Sequence, residues 1–204
     1  AYRLAVRART ARLLFHKLLH RAFRVSRRVM SETALGEGTA SLARAAVDLA
    51  EEATDGLSGR TALVIGAGKS ARLAAESLLR AGVGRLIVAN RTQAAAKELA
   101  ESLRQAEIVP AEPRCPAMRR RRRGEEDEAT TAPDVAVAVE AAGLDALAQR
   151  VAAADVIVCS TGSSGPVLTR ESLSGRSGAG GRKLVIVDVA VPRDVEPALG
   201  EAPG

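Results

Sequence analysis

The stretch Thr61-Ala62-Leu63-Val64-Ile65-Gly66-Ala67-Gly68-Lys69-Ser70-Ala71 decides how this chain folds. Its first five residues form a short apolar run, the kind that makes a parallel strand buried on both faces. Gly66 to Ala71 then fit the pattern G-x-G-x-x-A, and Lys69 to Ala81 read as a helix. In such a loop the first glycine permits a tight turn. The second lets the main chain approach a pyrophosphate, and the small Ala71 lets helix and strand pack closely. Free N–H groups and the dipole at the helix start favour the anion. The glycine pattern alone is a weak signal; between a strand and a helix it is a specific one.

Working outward, the same alternation continues downstream. Arg85 to Ala89 read as a second strand and Thr92 to Leu103 as a second helix. Glu107 to Pro110 read as a third strand, Ala142 to Ala153 as a helix, Asp155 to Cys159 as a strand and Lys183 to Asp188 as another. Near-continuous apolar strands alternating with helices predict an α/β protein of the Rossmann type, a doubly wound parallel sheet covered on both faces. Residues 110–134 interrupt the pattern. They hold Pro110, Pro113, Pro116 and Pro133, the run Arg119 to Arg123 and the acidic run Glu125 to Glu128. A surface insertion with little fixed structure is expected there, its arginines partly neutralised by the neighbouring acids.

Upstream of the loop lie two helical patterns. Between residues 11 and 30, Leu14, Leu18, Ala22, Val25 and Val29 recur three or four apart, flanked by Phe15, Leu19 and Phe23. Gly36 and Gly38 break this pattern. A second helix is expected from Thr39 to Ala53, with Leu42, Ala45, Ala46 and Leu49 on its apolar side. The turn from Asp55 to Gly59 marks the domain boundary. Residues 1–57 are then two helices from an incomplete N-terminal domain, and residues 58–204 the dinucleotide-binding domain. The chain has no starting Met and no signal peptide, so it reads as a fragment.

Composition narrows the function classes. Of 204 residues 47% are hydrophobic, enough for a core and too many for a wholly disordered chain. Tyr2, Phe15 and Phe23 are the only aromatics, so no aromatic platform exists for stacking nucleobases. Two cysteines (Cys115, Cys159) and two histidines (His16, His20) exclude a disulfide scaffold and a four-ligand zinc site of ordinary spacing. No apolar run of about 18 residues or more predicts a membrane span. The net charge is +6, yet the first 33 residues alone carry nine basic side chains against Glu32. The basic excess therefore belongs to the first helix, where it can meet phosphates or simply form a solvated face.

Candidate site residues follow from the strand ends. Gly66, Ala67, Gly68, Lys69, Ser70 and Ala71 form the pyrophosphate loop. The second strand ends in Asn90-Arg91-Thr92, about 20 residues beyond the glycines, where an acid would hold the ribose 2′-OH of NAD. No Asp or Glu stands there. Arg91 offers a guanidinium to a 2′-phosphate, with Asn90 and Thr92 as hydrogen-bonding neighbours, so NADPH is the expected cofactor. Asn90 or Thr92 can also cap the following helix. Ser160, Thr161 and Gly162, after Cys159, border the crevice on its other side. Cys159 closes an apolar strand with no histidine in the domain, so it reads as a small buried hydrophobe, and Cys115 has no neighbouring base. His16 and His20 lack a third ligand among arginines. No catalytic and no metal-binding residue is assigned.

Three stretches resemble the glutamyl-tRNA reductase family. Leu14-Phe15-His16-Lys17 through Arg27-Arg28-Val29-Met30-Ser31-Glu32-Thr33-Ala34-Leu35-Gly36-Glu37-Gly38 is similar to its L-F-x-K…G-K-R-V-R-x-E-T-x-I-G-x-G segment. Val64 to Lys69 with Asn90-Arg91-Thr92 resembles its NADPH-binding loop and N-R-[TS]. Asp188-Val189-Ala190-Val191-Pro192-Arg193-Asp194-Val195 resembles its D-[IL]-A-[VIL]-P-R-[DN]-[IV]. The first and third stretches separate this family from the related shikimate dehydrogenases. The chain departs from the pattern at Met30 and at Ser70-Ala71, lacks the family's S-T-C-N-R motif with its catalytic cysteine, and lacks its C-terminal helical dimerisation region.

The resemblance implies NADPH-dependent reduction of glutamyl-tRNA(Glu) to glutamate-1-semialdehyde, the first step of tetrapyrrole (porphyrin, 5-aminolevulinate) biosynthesis by the C5 pathway. A thiolate would attack the glutamyl ester, release the tRNA and leave a thioester for reduction. This chain would supply the NADPH-binding part and be inactive alone. The resemblance also implies a family homodimer, a hand-over to the downstream semialdehyde aminotransferase, and a cytoplasmic location, or a plastid one in a plant or alga. Two alternatives stand beside it: a shikimate-dehydrogenase-like NADP oxidoreductase, and a non-catalytic NADP-binding module.

Overall fold

The computed structural model describes residues 6–8, 13–32, 38–106, 108, 137–176 and 183–201. The insertion at 110–134, with Cys115 and the Arg119 to Arg123 run, lies outside the described residues. Contacts divide the chain into two compact units, Ala1–Ser41 and Leu42–Gly204. In the first, helix α1 (Leu13–Glu32) carries Leu14, Phe15, Leu18 and Val25 exposed.

The second unit opens with most of helix α2 (Gly38–Ala53). Its buried face agrees with the expected one only at Ala46. Ala43, Ala46, Val47 and Ala50 are buried, whereas Leu42 and Leu49 are half exposed. Small side chains let the helix backbone approach the sheet domain closely, and the larger leucines point away. Because Ala43, Val47 and Ala50 share one core with the sheet, the compact unit starts at Leu42, upstream of the turn at Asp55 to Gly59.

The sheet has five parallel strands in the order β3-β2-β1-β4-β5, formed by β1 (Thr61–Ile65), β2 (Arg85–Asn90), β3 (Ala138–Gly143), β4 (Val156–Cys159) and β5 (Val185–Asp188). The strand order reverses between β1 and β4, which places a crevice at their carboxyl ends. Side chains alternate across β1: Ala62 and Val64 join one core, Leu63 and Ile65 the other. The first core is covered by α2, α3 (Lys69–Arg80) and α4 (Gln93–Gln105), through residues such as Ala74, Leu78, Ala96 and Leu99. The second is covered by α5 (Leu147–Ala153) through Leu147 and Val151, and by Leu168. Both faces are therefore buried along β1, β2 and β4, as their apolar runs require, while the edge strand β5 is only partly buried. No helix among the described residues is long and apolar enough to cross a membrane.

The third strand is where the sequence reading fails. Of the residues expected to form it, 107–110, only Ile108 is described, and it lies in no strand. The strand is Ala138–Gly143, which overlaps the start of the helix expected from Ala142. Ala-Val-Glu-Ala-Ala-Gly has the alanine content of a helix. Tertiary pairing overrides that preference. β3 pairs with β2 along six residues, and Glu140 meets Arg85 on β2 through two hydrogen bonds of 2.8 and 2.9 Å. Arg150 of α5 adds a third at 3.1 Å. The two guanidinium groups, Arg85 first, hold the Glu140 carboxyl below the usual carboxylate range.

Candidate functional site

The end of β1 and the end of β4 come together at the crevice. Gly66 follows β1 with φ +123, a backbone region that L side chains rarely adopt. Its N–H donates to the Ala89 carbonyl at 2.8 Å. A Cβ on Gly66 would lie 2.3 Å from the Ser160 carbonyl oxygen, so the packing of β1 against the β4 end itself demands glycine here. Gly68 is different. Its backbone is extended at φ −82 and ψ −175, and a Cβ there would meet nothing within 4 Å. No described residue crowds the Gly68 Cβ position; glycine is favoured there as an N-cap, and the open space also suits a ligand seated on the loop.

Gly68 is the N-cap of α3, and no side chain caps that helix. The first turn of α3 holds no acidic residue, and Lys69, its first residue, is exposed. Uncapped N–H groups, the helix dipole and a lysine make an anion-binding corner. Ala71 is fully buried and lets α3 pack against the sheet, as its place in the pattern requires. Ala67 and Ser70 are partly buried along the same turn.

At the end of β2, Asn90 turns its amide onto the Thr92 carbonyl at 3.1 Å. Thr92 is the N-cap of α4 by backbone position but makes no side-chain cap bond. Arg91 is exposed, and no hydrogen bond or ion pair holds it among the described residues. The first turn of α4 also lacks an acidic residue. A second cationic corner thus stands beside the first, one strand over.

On the far side of β1, Ser160 donates its N–H to the Ile65 carbonyl at 2.8 Å. Thr161 uses both donors within the chain: its N–H reaches Asp194 Oδ2 at 2.6 Å and its hydroxyl Asp194 Oδ1. Gly162 is exposed, with open space at its Cβ position. Sequence spacing does not single out Asp194. Its partner lies 33 residues away, and the one local signal is the pair of acids, Asp188 and Asp194, that brackets Val189 to Arg193.

Cys159 is fully buried, and burial first, then Asp188 and Asp194, pushes its thiol pKa far up. It is a small core residue, as its place in an apolar strand suggested. Cys159→Ala is expected to change nucleotide affinity by no more than about twofold, because the side chain faces the core. Isothermal titration checks it, and a larger loss would place the thiol at the ligand. His16 and His20 have ring centroids 4.4 Å apart on exposed positions of α1. Among the described residues no group of three or more His, Cys, Asp or Glu side chains is arranged to hold a metal ion.

The family described as Shikimate / quinate 5-dehydrogenase matches residues 48–113 and 122–204. The chain is 41% identical over 181 residues to the glutamyl-tRNA reductase of Myxococcus xanthus (strain DK1622), covering 88% of this chain and 33% of that protein. It is 33% identical over 202 residues to the glutamyl-tRNA reductase of Syntrophus aciditrophicus (strain SB), covering 98% of this chain and 40% of that one. Among solved structures it is similar to glutamyl-tRNA reductase from Methanopyrus kandleri, with a TM-score of 0.58 and 29% identity over 98% of this chain and 42% of that chain. The chain thus spans between a third and two fifths of the length of the curated relatives it matches. Its fold is that of the nucleotide-binding domains of NAD(P)-dependent dehydrogenases.

Proposed function

The chain belongs to the family described as shikimate / quinate 5-dehydrogenase, and from that premise we propose that it is the NADPH-binding part of a glutamyl-tRNA reductase. One observation carries the binding reading: Gly66 is required by the chain's own packing, while at Gly68, the N-cap of α3, no described residue lies within 4 Å of a Cβ and the space above the loop is open. That vacancy of side chain is what a close-lying pyrophosphate needs.

In this reading Gly66 to Ala71 hold the pyrophosphate, with main-chain N–H groups and Lys69 facing its charge. Asn90, Arg91 and Thr92 receive the adenosine 2′-phosphate. The absence of an acid at the end of β2, together with the unheld Arg91, supports NADPH over NADH. Ser160 to Gly162 border the nicotinamide half. When bound, NADPH supplies the hydride that takes an activated glutamyl group to the aldehyde. This chain's part is to bind and orient the dinucleotide at the crevice. In this reading Cys159, fully buried in the core, is not the nucleophile.

The identities of 41% and 33% to proteins named glutamyl-tRNA reductase support that enzyme over a shikimate-type dehydrogenase. Glutamyl-tRNA(Glu) as substrate, glutamate-1-semialdehyde as product, homodimerisation, transfer to the semialdehyde aminotransferase and a cytoplasmic location all belong to the same proposal. The test is direct. The 204-residue chain is expected to bind NADPH at one site per chain in isothermal titration, and to form no semialdehyde from glutamyl-tRNA. Turnover by this chain alone would overturn its assignment as the binding part, and absence of NADPH binding would overturn the cofactor.

A further inference from the structure

We infer that Asp194 is a positioning residue: acting through Thr161, it holds the turn Ser160–Gly162 in the shape that receives the nicotinamide half of the dinucleotide. The inference rests on the NADPH site proposed above.

Asp194 is fully buried. A buried carboxylate must be satisfied by hydrogen bonds, and this one is satisfied largely by a single residue. Thr161 gives it the main-chain N–H at 2.6 Å and the hydroxyl on the other oxygen. Bonds to an ionised acceptor are short and strong, and gripping both donors fixes the backbone and χ1 of Thr161 together. The hydroxyl also accepts the Ser163 N–H at 3.1 Å, so its one proton and an acceptor position are engaged inside the chain. Thr161 is thereby shaped, not left free to bond a ligand.

Asp194 is itself seated from β5. Asp188, the last residue of that strand, accepts the N–H groups of Asp194 at 2.9 Å and Val195 at 3.0 Å on one oxygen, and that of Ala190 at 3.0 Å on the other. The Asp194 carbonyl accepts the N–H groups of Val167 and Leu168 at 2.7 and 2.9 Å. A continuous run of hydrogen bonds thus leads from the end of β5 to the end of β4. Topology says which half of the ligand this affects. β2, β1 and β4 are adjacent in that order, so the turn after β4 lies across the glycine loop from Arg91 and the adenosine end.

The full 204-residue chain is titrated with NADPH and, separately, with 2′,5′-ADP, which carries the adenosine and 2′-phosphate but no nicotinamide. Wild type, Asp194→Asn, Thr161→Ser, Thr161→Val and the double variant Asp194→Asn/Thr161→Val are compared, with circular dichroism and thermal melting as fold controls. Asp194→Asn is expected to weaken NADPH about tenfold, on the scale of one charge-assisted hydrogen bond, and to leave 2′,5′-ADP within about twofold. Thr161→Ser, which keeps the hydroxyl, should bind NADPH more tightly than Thr161→Val, which should lose it selectively. The double variant should be no weaker than the worse single one, because both changes break the same link.

Equal loss of both ligands, an unchanged NADPH affinity in Asp194→Asn, or additive losses in the double variant would each overturn the positioning role. If Asp194→Asn fails to fold, the contrast between Thr161→Ser and Thr161→Val decides, and equal NADPH affinities there overturn it. Wild type that binds neither ligand overturns the NADPH site and this inference together. Wild type that binds both, with unchanged variants, overturns this inference alone.

Discussion

Gly68→Val is expected to weaken NADPH binding by at least about a hundredfold, a loss of ~2.7 kcal/mol, while the protein stays folded. The two halves of that expectation have separate causes. The fold survives because the Gly68 backbone lies in an extended region open to any L-residue and a Cβ there meets nothing within 4 Å. Valine is a poorer N-cap than glycine, which costs about 1 kcal/mol at the start of α3. Binding fails because the branched carbons occupy the space where the pyrophosphate approaches the main-chain N–H groups. Gly66→Ala gives the opposite outcome. At φ +123, and 2.3 Å from the Ser160 carbonyl oxygen, a methyl group strains the backbone and forces β1 and the β4 end apart. A stability loss of about 3 kcal/mol or more is expected there. Isothermal titration with circular dichroism and a thermal melt reads both variants. Unchanged NADPH affinity in folded Gly68→Val would put the ligand elsewhere.

What the sequence could and could not disclose follows the range of the interactions involved. β1, β2 and β4 are legible because a strand buried on both faces must be apolar at nearly every position, as Leu63 to Ile65 and Val156 to Val158 are; β5 is legible from its apolar run although each of its residues is only partly buried. The glycine loop is legible because its three constraints fall within six consecutive residues. β3 is not, since Ala138 to Gly143 are held as a strand by pairing with β2 and by Arg85 and Arg150 on Glu140, none of them local. Apolar spacing in α2 points to Leu42, Ala45, Ala46 and Leu49, of which only Ala46 is buried. Close helix approach selected Ala43, Val47 and Ala50 instead. Asp194 shows the same limit at the site: an acid in a loop looks solvated until the fold buries it against Thr161.

Arg91→Ala should separate the two nicotinamide cofactors. Arg91 is exposed at the end of β2 with no partner among the described residues, beside an α4 start that has no side-chain cap and no acid in its first turn. A guanidinium so placed is available to a 2′-phosphate, and its charge matters only to the phosphorylated nucleotide. A hydrogen bond to an ionised group contributes roughly 1.5–3 kcal/mol. At about 1.4 kcal/mol per tenfold, the substitution should weaken NADPH by roughly ten- to a hundredfold. NADH has no 2′-phosphate, so its affinity should change far less. Stacking of the guanidinium on the adenine would be lost for both cofactors alike. The ratio of the two affinities cancels that shared loss and isolates the phosphate contact. Contacts to phosphate weaken with salt, so both titrations must be run at one ionic strength, and the wild-type preference for NADPH should itself shrink as salt rises. Two cofactors against two proteins give the ratio. A preference for NADPH that survives Arg91→Ala undiminished would remove Arg91 as the 2′-phosphate ligand.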